Sequence, residues 1–367
     1  MDKKTYIVVV VVIVIGILFF TLNGRNSENI KIGWVGPLTG DISSLGVGAK
    51  TATEIAVEKI NNSGGIRGRK IEVIYEDTKC SPEAGASAGN KLINVDKVVA
   101  IIGGLCSGET SAFTPIAMEK KIITIAYGAS APALSNTGKY FFRTYPSDFA
   151  QGKFTAEYLY NNVGARKVGV IYHISDYGTG VKDVFVQRFV ELGGEVSVIE
   201  GAQQTSRDYR TQITKLSKGS LDYVYAPLYN EGGEVFINQL KQQGSTLKII
   251  GGETWSDTKF ISSVKGNVDV VFSQPVLKFS DNFASAMKEK LGSDTIPLSS
   301  TNAYDAINAY AQAVEKAKST DSDDIEKALR GVSFLGESGQ VNFDKNGDVN
   351  SPSFEIKRIK DGKVIPL

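Results

Sequence analysis

The sequence predicts an α/β fold of two doubly wound lobes, each a parallel sheet covered by helices and joined to the other by a multi-strand hinge. Three observations carry the prediction. Short apolar runs bounded by glycine alternate with segments of helical periodicity, an order that demands parallel strands and helical crossovers. The alternation runs once through the first 147 residues and then restarts. Helix terminators Gly164, Gly193-Gly194 and Gly244 fall where the later crossovers must turn back.

The first lobe begins with a strand over 30–35 and the loop GPLTG at 36–40. A helix from 49 follows, marked by Ala52, Ile55, Ala56 and Ile60, and Asn61-Asn62-Ser63-Gly64-Gly65 stops it. Next come a strand over 71–76 and a helix marked by Ala84, Ala88, Leu92 and Val95. Residues 98–102 form a buried strand that ends in Gly103-Gly104, and Cys106, Ser107, Gly108 and Thr110 lead into a helix over 111–119. Hydroxyls and backbone N–H groups gathered at a helix start suit an anion. The strand over 122–126 repeats the design, ending in Gly128-Ala129-Ser130-Ala131-Pro132. Two adjacent strand ends thus present polar groups at the carboxyl edge of one sheet, where open α/β sheets bind ligands. The competing reading is an ordinary pair of βα loops.

The second lobe starts with a helix over 149–162, and strands over 168–172, 195–200, 223–227, 248–250 and 268–273 alternate with helical segments. After Gln274-Pro275 the chain turns to helices over 282–291, 302–317 and 323–329, then to a hairpin around 344–348. Two similar lobes connected by more than one crossing predict a hinged clamshell.

Composition excludes several functions. Among 367 residues, 41 Lys and Arg oppose 40 Asp and Glu without a basic block, so neither nucleic acid nor an anionic surface is an evident partner. The single histidine, His173, rules out a His-rich zinc site and would have to serve any Ser-His-Asp triad. No metal or cofactor is expected. At the amino terminus Lys3-Lys4 precede an uncharged stretch over 5–22. It exceeds the roughly 7 to 15 residues of a signal-peptide core and approaches the roughly 17 that span a bilayer. Its positive flank predicts Lys3 and Lys4 inside and the folded part outside. An uncleaved anchor over 5–22 is preferred to a removed signal, with 23–29 as a polar tether. In an oxidising compartment Cys80 and Cys106 read either as a disulfide or as two separate buried thiols.

Two motif matches are weak. Asp344, Asn346, Asp348, Asn350 and Glu355 fit five positions of a calcium loop, but Val349 stands where the loop needs glycine, so a turn is preferred. Gly46-Val47-Gly48 lacks the third glycine of a dinucleotide fingerprint, and no phosphate loop occurs. The second-lobe candidates are loop residues after strands: Tyr177 in ISDYGTG, Tyr229 in PLYNEGG and Glu253 in GGETW, with Tyr304-Asp305 in the helical region. A loop tyrosine is ordinarily surface packing and a loop glutamate a solvated charge. Their place after buried strands, on the edge where the first lobe carries Ser107 and Ser130, sets them apart.

The ordered set GPLTG, AVEKINNSGGIRGRKIEVIYEDTKCSP, the Cys80 and Cys106 pair, IIGGLCSG, GASAPALS, FRTYPSDFAQG and DYGTG resembles the leucine/isoleucine/valine-binding proteins. These are type I periplasmic binding proteins that feed ATP-binding-cassette importers. The resemblance runs from residue 30 to the end and is strongest in the first half. It implies a clamshell with three crossings, lobe 1 over 30–147 plus 277–350 and lobe 2 over 148–276 plus 351–367. It also implies a Cys80–Cys106 disulfide. Carried across, it sets Ser107 against a ligand carboxylate and the Gly128 carbonyl and Ser130 hydroxyl on an ammonium. Glu253 opposes the ammonium, and Tyr177 and Tyr229 close over the ligand. Leu45 stands where similar branched-chain binders carry an aromatic residue, so the side-chain pocket is expected to differ. The expectation is an extracytoplasmic receptor for a small amino acid or related amide, partnered by an importer permease. The rivals are a sensor domain of the same fold, disfavoured because no segment follows Leu367, and an enzyme, disfavoured because no nucleophile has an evident base.

Overall fold

The computed structural model describes residues 28–264, 270–350 and 353–367. The expected membrane segment over 5–22, most of the tether, and the first two residues of the strand expected over 268–273 lie outside the described residues. Among the described residues no helix is long and apolar enough to cross a membrane.

The first sheet comprises β1 (Ile30–Gly36), β2 (Ile71–Asp77), β3 (Ala100–Ile102), β4 (Ile123–Ala126) and β5 (Phe141–Arg143), all parallel, in the order β2-β1-β3-β4-β5. Helices α1 (Ser43–Asn62), α2 (Pro82–Asn90) and α3 (Ser107–Glu119) make its crossovers. Strands β3 and β4 are buried on both faces, which is why they read as continuous apolar runs rather than alternating ones. Trp34 on β1 is fully buried and stacks on Tyr127 at 5.5 Å between ring centres.

The second sheet repeats the arrangement. After α4 (Asp148–Glu157) come β6 (Lys167–His173), α5 (Asp176–Glu191), β7 (Glu195–Ala202), α6 (Arg210–Ser217), β8 (Tyr223–Ala226), α7 (Asn230–Gln242), β9 (Ile249–Gly251), α8 (Thr258–Ser263) and β10 (Val270–Pro275). Strands β7-β6-β8-β9-β10 are parallel and match the order of the first sheet. Helices α9 (Asp281–Leu291), α10 (Ser300–Ala317) and α11 (Ser322–Leu329) follow, with α9 and α10 packed along α1. A short hairpin, β11 (Ser333–Gly336) with β12 (Gly339–Asn342), precedes β13 (Phe354–Lys360) and β14 (Lys363–Pro366). In each sheet the strand order reverses at one point, between β1 and β3 and between β6 and β8, and such a switch point opens a crevice at the strand ends.

Several expectations need correction. The second sheet is not wholly parallel, because β13 pairs antiparallel with β10 and β14 with β13. Strand β5 was not anticipated, since three residues ending in arginine carry no clear period. Helix α1 starts at Ser43 rather than 49, so Gly46 and Gly48 lie inside it. A Cβ on Gly46 would sit 1.7 Å from the Pro37 carbonyl oxygen, and this close approach of helix to loop explains the glycine. The chain does reverse at 344–348, closed by the bond from Asp344 N–H to the Asp348 carbonyl (2.8 Å) and a bridge between Phe343 and Val349. Two carboxylates of the calcium template are spent there: Asp344 Oδ1 accepts from the Asn346 and Asp348 N–H groups, and Asp348 holds Arg143 at 2.7 Å, while Glu355 lies on β13 and accepts from Gln274.

Candidate ligand-binding cleft

Both switch points face one interior cleft, and the loops that leave their strands meet across it. Gly103 and Gly104 end β3 because side chains cannot fit. A Cβ on Gly103 would lie 2.2 Å from Val35 Cγ2, and one on Gly104 2.5 Å from Glu109 Oε1. Glu109, fully buried in the first turn of α3, accepts the N–H groups of Leu105 (2.8 Å) and Cys106 (3.0 Å) and the Thr78 hydroxyl. Burial pushes its carboxyl up to about 7. The Cys80–Cys106 disulfide, with Cα atoms 5.5 Å apart, fixes the same loop to the end of β2, as expected. Closing a loop of 26 residues stabilises by about 3.5 kcal/mol in the chain-entropy model.

This scaffold sets the polarity of two serines. Ser107 opens α3, and its oxygen accepts the N–H groups of Ala131 (3.0 Å) and Ser130 (3.2 Å). With both lone pairs engaged, the Ser107 hydroxyl has only its proton to offer, which suits an anion. Ser130 is the opposite case. Its hydroxyl donates to Asp148 Oδ2 at 2.8 Å, so its remaining capacity is to accept, which suits an N–H donor. Gly128 sits between them with its N–H on the Gly104 carbonyl (3.2 Å), and a Cβ there would meet Leu105 Cα at 2.9 Å.

From the second sheet, Tyr177 follows β6, Tyr229 follows β8 and Glu253 follows β9. The two tyrosines stack at 4.9 Å and 23°, and both are buried. Tyr177 donates to Glu253 Oε2 at 3.1 Å, and Gln151 Nε2 donates to the same oxygen. Burial raises the Glu253 carboxyl above its ordinary range, against the lowering effect of these bonds. GGETW is now intelligible: a Cβ on Gly251 would strike Trp255 at 2.1 Å and one on Gly252 the Tyr177 hydroxyl at 2.5 Å. Trp255 is anchored through its indole N–H to the Leu228 carbonyl at 2.9 Å. His173 is structural. It accepts the Tyr229 N–H, meets the Tyr209 hydroxyl at 3.0 Å, and burial lowers its pKa to about 4.

Ser107, Gly128, Ser130, Tyr177, Tyr229 and Glu253 therefore surround one buried region. Leu45 is buried on the first turn of α1, not in a loop. Tyr304 and Asp305 are not brought to the cleft. Tyr304 packs edge-on against Phe283 and meets Lys59 at 3.2 Å, while Asp305 accepts the N–H groups of Glu337 (3.0 Å) and Ser338 (2.7 Å). Asp305 thus holds the β11–β12 turn, and burial raises its pKa to about 6.

Sequence reasoning missed Asp148 and Gln151. With Thr155 they form an i, i+3, i+7 stripe on α4, all buried and reaching Ser130, Glu253 and Ser273 respectively. The signal was available, because the face that α4 buries carries Asp, Gln, Gly and Thr where a core helix would carry Leu or Ile.

Contacts also cross the mouth of the cleft. Ser44 donates to Asp257 Oδ2 at 2.6 Å, and Arg207, which also pairs with Glu231 on its own side at 3.1 Å, meets Asp41 at 2.7 Å. Beside them lies a cavity of about 620 Å³, lined by Cys80 and Gly108 on one side and by Ser175 and Gln204 on the other.

The model of the periplasmic binding protein family matches residues 29–363. The leucine-, isoleucine-, valine-, threonine- and alanine-binding protein of Pseudomonas aeruginosa is 27% identical over 341 residues, covering 90% of each chain. The leucine binding protein LivK of Thermotoga maritima is 28% identical with a TM-score of 0.84, over 92% of this chain and 97% of that one. The substrate binding protein LivJ of Streptococcus pneumoniae, solved with isoleucine, is 25% identical with a TM-score of 0.81, over 92% and 97%. With these relatives and two sheets facing one cleft, the chain belongs to the periplasmic binding protein family and is a solute-binding protein, not an enzyme.

Proposed function

We propose that this protein is the extracytoplasmic substrate-binding subunit of an ATP-binding-cassette importer and captures a small aliphatic amino acid between its lobes. The observation that carries this is the opposed polarity of two buried serines, Ser107 limited to donating and Ser130 to accepting, with the Glu253 carboxylate on the accepting side. A zwitterion satisfies both ends, whereas a simple carboxylate leaves the accepting end without a donor. In this reading Ser107 holds the α-carboxylate, the Gly128 carbonyl, Ser130 and Glu253 hold the ammonium, and the stacked Tyr177 and Tyr229 cover the ligand. Leu45 helps shape the side-chain pocket.

The lobes in this reading are 30–147 with 277–350, and 148–276 with 351–367. The sheet memberships of β1–β10, β13 and β14 and the packing of α9 and α10 on α1 support that division. Residues 5–22 hold the protein to the membrane. Extraction of cell membranes with carbonate is the check: an anchored chain stays in the pellet, and a chain freed by signal cleavage is recovered in the soluble fraction.

A thermal-shift screen of the detergent-solubilised full chain tests the ligand class. Leucine, isoleucine, valine, alanine and threonine are compared with benzoate, isopentylamine and 4-methylpentanoate. A ligand at 100 times its dissociation constant adds about 2.7 kcal/mol of stability. Stabilisation by one or more amino acids and by none of the single-charge compounds is expected. A response to benzoate alone would overturn the amino-acid reading.

A further inference from the structure

The end of α1 remote from the cleft borders a groove that the ligand site does not use. Two adjoining cavities of about 670 and 500 Å³, which share Lys59, Asn308 and Gln312, run between α1, α10 and the β11–β12 hairpin. The lining is apolar at Ile60, Ile66, Ala311, Val332 and Phe334. At the rim Leu335 is 82% exposed and Phe279 43%, so two large apolar side chains stand in water on one face. Charge is divided unevenly around them. Lys59 donates to the Tyr304 hydroxyl (3.2 Å) and Lys316 to the Gly331 carbonyl (3.1 Å). Among the described residues neither of these, nor Lys278 or Arg67, pairs with a carboxylate, and all four are exposed. The acids beside them are engaged by backbone donors: Glu315 accepts the Arg67 N–H at 3.0 Å, Glu337 the Ser280 N–H at 2.7 Å, and Asp305 the N–H groups of Glu337 and Ser338. In the sequence these cations lie far apart and form no basic block; the packing of α10 on α1 gathers them.

The amino terminus leaves the folded body at this same face. The Glu28 carbonyl accepts from Arg69 Nε at 2.7 Å, and Arg69 bridges to Ile66 in the groove wall. The tether over 23–27 reaches at most about 17 Å. We propose that this face docks on the membrane that holds the chain, with Leu335 and Phe279 entering the headgroup region and Lys59, Lys278, Lys316 and Arg67 meeting the phosphates of anionic lipids. The inference rests on the membrane anchor over 5–22 in the reading above. Apolar side chains flanked by cations suit the boundary between headgroups and acyl chains, and lysine stems can lie along apolar surface while their ammonium groups reach phosphate. The short tether makes docking intramolecular, so contacts that are weak singly suffice. The cleft stays free, because α1 rises about 22 Å from Ser44 at the mouth to Lys59.

The full chain, inserted by its anchor into vesicles of phosphatidylcholine with or without phosphatidylglycerol, tests this. Its two cysteines are bonded to each other, so Leu335→Cys accepts a single environment-sensitive dye. Val95→Cys is the control, since Val95 is 72% exposed just past α2 on the opposite face of the first sheet. Emission from position 335 should shift to the blue in vesicles containing phosphatidylglycerol and return in high salt, while position 95 stays unchanged. Lys59→Gln and Lys316→Gln should each lower the ratio of docked to free chains about fivefold. Hydrogen exchange over 331–339 gives the same readout on the unlabelled chain. An equal shift in phosphatidylcholine alone, an equal shift at position 95, or no shift in either lipid overturns the inference and leaves the anchor in place. So does a shift in detergent that grows with protein concentration, the mark of a second copy on this face, or one produced by inorganic phosphate. A chain that carbonate strips from the vesicles overturns both anchor and docking.

Discussion

Ser107→Ala separates a residue that merely touches ligand from one that also builds the site. The substitution removes one oxygen and adds nothing, but that oxygen accepts two N–H groups, from Ser130 at 3.2 Å and Ala131 at 3.0 Å. Ser107 and Ser130 are 1% and 2% exposed, so water cannot readily take its place. Each buried donor left without an acceptor costs about 1–3 kcal/mol. The ligand-free protein should therefore lose about 2–6 kcal/mol in a urea melt, with the unfolding slope unchanged. On the proposed reading affinity should fall as well, since the hydroxyl proton assigned to the carboxylate is gone and Ser130, assigned to the ammonium, is less restrained. The two effects are read separately, by melts without ligand and by calorimetry with L-leucine. Wild-type stability paired with a pure loss of affinity would refute the view that Ser107 is held as a donor by the Ser130–Ala131 backbone.

Three further outcomes are expected. Glu253→Ala removes the acceptor held by Gln151 and Tyr177 and should cost about 2–5 kcal/mol of amino-acid affinity, measured by equilibrium dialysis; unchanged affinity would place the ammonium elsewhere. Glu109 titrates at about 7 when folded against 4.5 as a free side chain, so the fold binds its proton more tightly than the unfolded chain does. Stability is then full below about pH 4.5 and falls as pH rises through about 7, by at most about 3 kcal/mol. Glu109→Gln keeps the contacts to Leu105, Cys106 and Thr78 and should flatten that slope in melts from acid to neutral pH; an unaltered slope would assign it to another group. Arg207→Ala breaks an exposed pair across the cleft mouth, so affinity should drop only about two- to fivefold, chiefly through faster ligand release in stopped-flow fluorescence, and high salt should erase the difference. An equal effect at every salt concentration would argue against an electrostatic latch.

How much of this was legible in the sequence differs between scaffold and site. Parallel strands β3, β4 and β8 announce themselves because burial on both faces forces short, nearly unbroken apolar runs. Strand β13 does not, since FEIKRIK mixes apolar and charged residues, lies between β10 and the edge strand β14, and could equally be a solvated turn region. For the cleft, glycines and hydroxyls after the strands led to Ser107, Gly128 and Ser130. Asp148 stayed hidden for a local reason. It follows Ser147, which caps α4, and an acidic residue in a first helical turn needs no further explanation. Asp305 misled in the opposite direction, because nothing in YDAINAY shows that a turn more than thirty residues later will claim its carboxylate.

The late position of β13 and β14 has a consequence for how the protein is made. Strand β10 is buried along its length only because β13 pairs with it, and β13 follows every helix in the sequence. The first sheet waits in the same way for α9 and α10, which cover α1. During export, then, neither half can close until nearly the whole chain has crossed, and VVFSQP would meanwhile present an unpaired apolar edge able to join a neighbouring chain. Cells that make this protein in quantity therefore need something to occupy that edge during translocation, and truncations that remove only the final strands should aggregate even though every residue of the ligand cleft is present.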